Sequence, residues 1–163
     1  MTHEMPNRSA ETPARDVGAD GATQPNVQPE PHQYAFDGDD QAPARARHHV
    51  REALCSWRMP ENTVDTAVLL ASEITTNAVR HTMSPSIQLE LLRRDGEVEV
   101  AVRDSGPRPA RPLRAISEET ADLWDERGRG LDLVRRLSSR WGATEAGPGL
   151  RVWAAIEATG DVR

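Results

Sequence analysis

Lysine is missing from this chain altogether, for all 20 cationic side chains among its 163 residues are arginine. Chemistry that needs a phosphate-binding P-loop lysine, a Schiff base or the strand lysine of a eukaryotic-type kinase is thereby excluded. Cysteine is almost missing too. Cys55 stands alone, so it can neither close an internal disulfide nor share a metal with a second thiol, which fits a reducing compartment; it is expected as a small core residue. No apolar run approaches the roughly 20 residues that would cross a bilayer. The start, MTHEMPNRSAETPARD, lacks the apolar stretch of a secretory signal, so a cytoplasmic chain without membrane contact is expected. A formal net charge of -6 argues against direct nucleic-acid binding, because neutralising phosphates takes an excess of clustered cations.

The length allows one domain with a proper core, plus a tail. Residues 1–31 are rich in Pro, Gly, Ala, Thr, Asp and Glu and cannot bury enough surface to offset ordering entropy. They are expected as a disordered extension, with a domain over 32–158 and a short tail over 159–163. Tyr34 and Phe36, two apart, suggest a short strand. From Pro43 to Trp57, the spacing of Ala46, Val50, Ala53, Leu54 and Trp57 predicts an amphipathic helix with arginines and histidines between them.

After Pro60, a stripe of Val64, Ala67, Val68, Ala71, Thr75, Ala78 and Val79 predicts a long second helix over 61–82. Ile87, Leu89 and Leu91 then alternate up to Asp95-Gly96, and Val98, Val100 and Val102 alternate after it, the pattern of an antiparallel hairpin. A proline-rich, acidic connector runs from Pro107 to Arg127. A third helix is expected from Gly130 to Arg140, burying Leu131, Val134 and Leu137 and capped by Gly142. A strand near 143–145, a turn at Gly147 to Gly149 and a last strand carrying Leu150, Val152, Ala154 and Ile156 complete the chain. These elements point to an α+β sandwich, mostly antiparallel, with its helices on one sheet face.

Three segments carry polar groups in suggestive order. Glu73, Asn77 and His81 are each four apart, so they climb one line of the second helix beside Leu70 and Ile74. An E-x-x-x-N spacing alone is equally an ordinary polar helix face. Val102-Arg103-Asp104-Ser105-Gly106 ends a strand in a carboxylate and a glycine: the carboxylate accepts hydrogen bonds, as from the exocyclic amine of adenine, and Gly106 gives a ring clearance. Taken singly, Asp-Ser-Gly-Pro is also a common turn. Gly128-Arg129-Gly130-Leu131 opens a helix, where unpaired N–H groups and the helix dipole could face a phosphate. A dinucleotide-binding fingerprint fails here, because Asp122 to Arg127 is no apolar strand and position 133 is Leu.

Together the segments Ser-Glu-Ile-Thr-Thr-Asn-Ala-Val-Arg-His-Thr at 72–82, Val-Arg-Asp-Ser-Gly at 102–106 and Gly-Arg-Gly-Leu-Asp-Leu-Val at 128–134 resemble the N, G1 and G2 boxes of the GHKL ATPase superfamily, also called HATPase_c. Its small bacterial anti-sigma-factor serine kinase branch is the nearest in wording, and the likeness runs from about Gln33 to Ala158. The resemblance implies the Bergerat ATP-binding fold, a two-layer α/β sandwich with a mostly antiparallel mixed sheet. It implies ATP and Mg²⁺ as cofactors, with Asn77 as the Mg²⁺ ligand, Glu73 as general base and Asp104 reading adenine beside Gly106. Gly128, Gly130 and Leu131 would meet the phosphates through backbone N–H groups. His81 would either line the site or orient the helix end, and Arg127 or Arg129 would either approach the phosphates or face solvent. The connector would form a lid over the nucleotide.

One departure concerns Gly149-Leu150-Arg151, which stands where related chains often carry a lysine and a hydroxyl residue; phosphate contact from that turn is in doubt. The activity implied is that of a serine/threonine protein kinase acting on a small anti-sigma-factor antagonist, with a sigma factor as a second partner and a homodimer possible through the first helix and Trp57. A non-catalytic, ATP-dependent partner-binding module is the alternative. A histidine autokinase would need a helical hairpin presenting a phosphoacceptor; His48 and His49 read better as a solvated or dimer-facing pair.

Overall fold

In the computed structural model the described residues are 31–106 and 129–158, and for 129–131 the description is of the backbone alone. The expected disordered extension, the connector with its lid role, Gly128 and the final tail lie outside them. Eight elements follow in order: β1 (His32–Asp37), α1 (Ala42–Ser56), α2 (Glu61–His81), β2 (Ser86–Arg94), β3 (Glu97–Asp104), α3 (Arg129–Leu137), β4 (Arg140–Ala146) and β5 (Gly149–Glu157). The five strands form one sheet in the order β1-β2-β3-β5-β4, and all four pairings are antiparallel. The expected α+β sandwich is present, with a sheet that is antiparallel throughout its described strands and not mixed.

Period-two burial explains the layering. Ile87, Leu89 and Leu91 on β2, Val98, Val100 and Val102 on β3, and Ala154 and Ile156 on β5 are buried on one face, where they meet Val50 and Leu54 of α1, Leu70 and Ile74 of α2, and Val134 of α3. The β2–β3 turn is Asp95-Gly96, with φ of 50° and 81°, the left-handed pair that a two-residue hairpin turn demands. Helix α2 is 21 residues long and buries Val64, Ala67, Leu70, Ala71 and Ile74. Its other flank is gripped by α1, through a hydrogen bond from Arg47 Nη1 to Ser72 Oγ (2.9 Å) and an ion pair between Arg51 and Asp65 (3.1 Å).

Two expectations are corrected. Cys55 is exposed. The buried stripe of α1 is Ala42, Ala46, Val50, Ala53 and Leu54, and one residue beyond Leu54 the helix has turned roughly 100° further on, away from the core. Gly142 does not cap α3, which ends at Leu137. There the hydroxyl of Ser138 donates to Val134 O (2.6 Å), and Ser139 N–H donates to Ala155 O (2.8 Å), starting the strand pairing early. Gly142 lies within β4 opposite Trp153, and a Cβ there would stand 3.0–3.1 Å from the indole, so glycine serves close packing on the sheet's outer face.

Candidate functional site

The chain's turns bring its three polar segments to one end of the sandwich. Strand β2 starts soon after α2 ends, and its Ile87 pairs with Asp104 at the end of β3. Helix α3 runs antiparallel to α2. Leu137 and Ser138 at its C-terminal end share a cleft with Asn62, Thr63 and Thr66 in the first turns of α2, so Arg129 and Gly130 at its start point toward the other end, where α2 finishes and β3 ends.

On α2, Glu73 and Asn77 are half-buried and His81 is exposed. With roughly 100° per residue, they occupy the flank away from Ser72 and Asp65, the two residues that α1 holds. The line therefore borders the interior on the α3 side, as its place beside Leu70 and Ile74 suggested; both of those are fully buried.

Asp104 is 2% exposed, on the same sheet face as Val98, Val100 and Val102. Its Oδ1 accepts a hydrogen bond from Gly106 N–H at 3.0 Å, closing a short side-chain turn over the strand end. Gly106 has φ of 63°, and a Cβ there would lie 2.4 Å from the carbonyl oxygen of Pro148. Glycine is thus required at this position twice over, by backbone and by space.

Two features escaped the sequence pattern. A Cβ on Gly149 would lie 1.9 Å from Asp104 O and 2.7 Å from its Oδ1, so the start of β5 presses its bare backbone against the carboxylate. The turn before β5 therefore stands at the aspartate. The second is Ser84, buried between α2 and β2 and bonded to Ser105 and Ser86. In the sequence it is only a helix breaker before Pro85; a lone hydroxyl in a loop carries no periodic signal.

No curated protein matches the chain in sequence. Among solved structures, the RsbU and RsbW domains of Rv1364c from Mycobacterium tuberculosis are similar over 78% of this chain and 32% of that one, with 21% identity and a TM-score of 0.59. The chain thus spans about a third of that relative's length. The SiaB-SiaC complex from Pseudomonas aeruginosa is similar over 76% of this chain and 88% of the matched one, with 14% identity and a TM-score of 0.55. At these identities the likeness is one of fold. The family model described as a histidine kinase-like ATPase domain matches residues 37–156, most of the chain and all three polar segments. The chain belongs to the histidine kinase-like ATPase domain family.

Proposed function

We propose that this ATPase-family chain is a Mg-ATP-dependent serine/threonine protein kinase of the anti-sigma-factor type, which phosphorylates a small anti-sigma-factor antagonist. The observation that carries the reading is the half-buried pair Glu73 and Asn77, one turn apart on the flank of α2 next to α3, at the end of the sandwich where Asp104 closes β3. The donors fit the nucleotide. A buried carboxylate, acceptor only, suits an exocyclic amine, and the start of a helix suits phosphate oxygens. Among the described residues no three His, Cys, Asp or Glu side chains gather into a metal cage. This suits Mg²⁺, which is commonly held through substrate phosphates with one or two protein oxygens, here that of Asn77.

When bound, Mg-ATP supplies the transferable phosphoryl group with part of its charge neutralised. The chain's own residues do the rest. Asp104 orients the base and Gly106 keeps the backbone out of its way. The N–H groups of Gly128, Gly130 and Leu131 would receive the phosphates, with Arg129 beside them, a task that no lysine is present to share. Asn77 would hold the metal through its carboxamide oxygen. Glu73 accepts the proton of the acceptor hydroxyl, held on the same rigid helix one turn away. His81, exposed at the end of that helix, either lines the nucleotide site or orients the helix end. SiaB is seen in a complex with SiaC, and a protein partner seated over this end of the sandwich is the arrangement proposed here, whether the antagonist or a sigma factor. No helix among the described residues is long and apolar enough to cross a membrane.

The test mixes the protein, labelled Mg-ATP and candidate antagonist. Transfer to a seryl or threonyl side chain, lost in Glu73→Ala while nucleotide binding persists, supports the kinase. Nucleotide-dependent partner binding without transfer would replace it with the non-catalytic module.

A further inference from the structure

The loop that follows Asp104 is held from an unexpected side. Strand β3 ends at Asp104, so the amide of Ser105 has left the ladder. Its partner is the hydroxyl of Ser84, on the link leaving α2, at 2.7 Å. Ser84 is 4% exposed, and the same oxygen donates to Ser86 O at 2.6 Å and lies 2.8 Å from Ser105 Oγ. The link itself is pinned from below. Gly38 N–H donates to Pro85 O at 3.1 Å, and a Cβ on Gly38 would stand 2.0 Å from Ser84 O. Three connections therefore meet at Ser84-Pro85: β1–α1 against its backbone, and α2–β2 with the one leaving β3 through the buried hydroxyl. With the ladder ended, the half-buried N–H of Ser105 is met by a side-chain oxygen.

We propose that Ser84 is a positioning residue for adenine recognition: it fixes the peptide leaving Asp104, and with it the carboxylate, relative to the C-terminal end of α2. This rests on the reading of Asp104 given above. The lever is short. Asp104 Oδ1 is already committed to Gly106 N–H, so a shift of the intervening Ser105 peptide turns the carboxylate with it.

The test is calorimetric titration with Mg-ATP and with the inosine analogue, which carries a 6-oxo group in place of the 6-amino group. Wild type should prefer ATP. Ser84→Ala should weaken ATP about tenfold, the scale of one lost hydrogen bond, and leave the inosine nucleotide nearly untouched, so that the preference collapses. Equal weakening of both nucleotides would mean general damage and would overturn the proposal. If Ser84→Ala is not recovered folded, Ser84→Cys decides: its thiol is a weak acceptor for the Ser105 N–H, and a preference identical to wild type refutes the role of Ser84. A wild type that binds both nucleotides alike sinks the assignment of Asp104 and this proposal with it. A preference lost in Asp104→Ala but intact in Ser84→Ala keeps the assignment and removes Ser84 from it.

Discussion

His49 of α1 stacks on Tyr34 of β1, with ring centroids 4.2 Å apart, and its Nδ1 is buried without a hydrogen bond among the described residues. The nearest carboxylate oxygen, on Glu52, is 4.0 Å away, inside ion-pair reach but beyond hydrogen-bond range. Burial holds the imidazole below its ordinary value of 6.5, and neighbouring His48 pushes the same way against Glu52. Since the folded state binds this proton less readily than the unfolded one, the contribution is complete above 6.5 and is lost as pH falls below that value through the lowered one. Thermal melting should therefore show wild type losing more stability than His49→Phe between about pH 7.5 and 5.5. Parallel curves for the two proteins would refute it.

At the scale of elements, α1 closes with paired bonds, Met59 N–H to Leu54 O (3.0 Å) and Arg58 N–H to Cys55 O (2.9 Å). That closure needs a left-handed residue, and Arg58 supplies it at φ of 55°, where glycine is the usual occupant. Arg58→Gly should stabilise the protein by about 0.5–1 kcal/mol in urea unfolding, because the strain of a Cβ in that region is about 1–2 kcal/mol and the entropic cost of glycine offsets part of it. A destabilised variant would show that the arginine side chain is anchored in a way its exposure does not suggest.

Such elements were largely legible beforehand. The period of three and four gave α1 and α2 to within a residue or so, and alternation around Asp95-Gly96 gave the hairpin in register. What escaped was tertiary. Gly142 reads as a cap because it follows a helical pattern, yet the indole of Trp153, eleven residues on, decides its place. Gly149 and Ser84 matter only through Asp104 and Ser105, which no local window contains. The line Glu73, Asn77 and His81 was visible on one helix, but that it shares an end of the sandwich with Asp104 and the start of α3 follows only from the pairing of β2 with β3 and the antiparallel course of α3.

For the molecule as a whole, helices cover one face of the sheet and charge seals the other. Arg151 of β5 reaches Glu90 of β2 (2.9 Å) and Glu99 of β3 (2.7 Å), clamping three strands over the buried methyl of Ala101. These hydrogen bonds raise the guanidinium pKa against the opposing effect of burial, which is the largest single influence on it. Arg151→Met keeps most of the stem but strands two carboxylates side by side. It should cost on the order of 2 kcal/mol in urea unfolding at low salt, and less as added salt screens the carboxylates. A deficit insensitive to salt would assign the loss to packing.

The strand order carries one more consequence. Strand β5, the last of the described strands in chain order, lies between β3 and β4, so the edge strand β4 joins the sheet only through an element that follows it. Until β5 docks, the β2–β3 hairpin waits with an open inner edge, and β4 has no neighbour at all. An unpaired β3 edge is a template for another chain's strand, so copies in which β5 has not yet docked are those most exposed to pairing with one another.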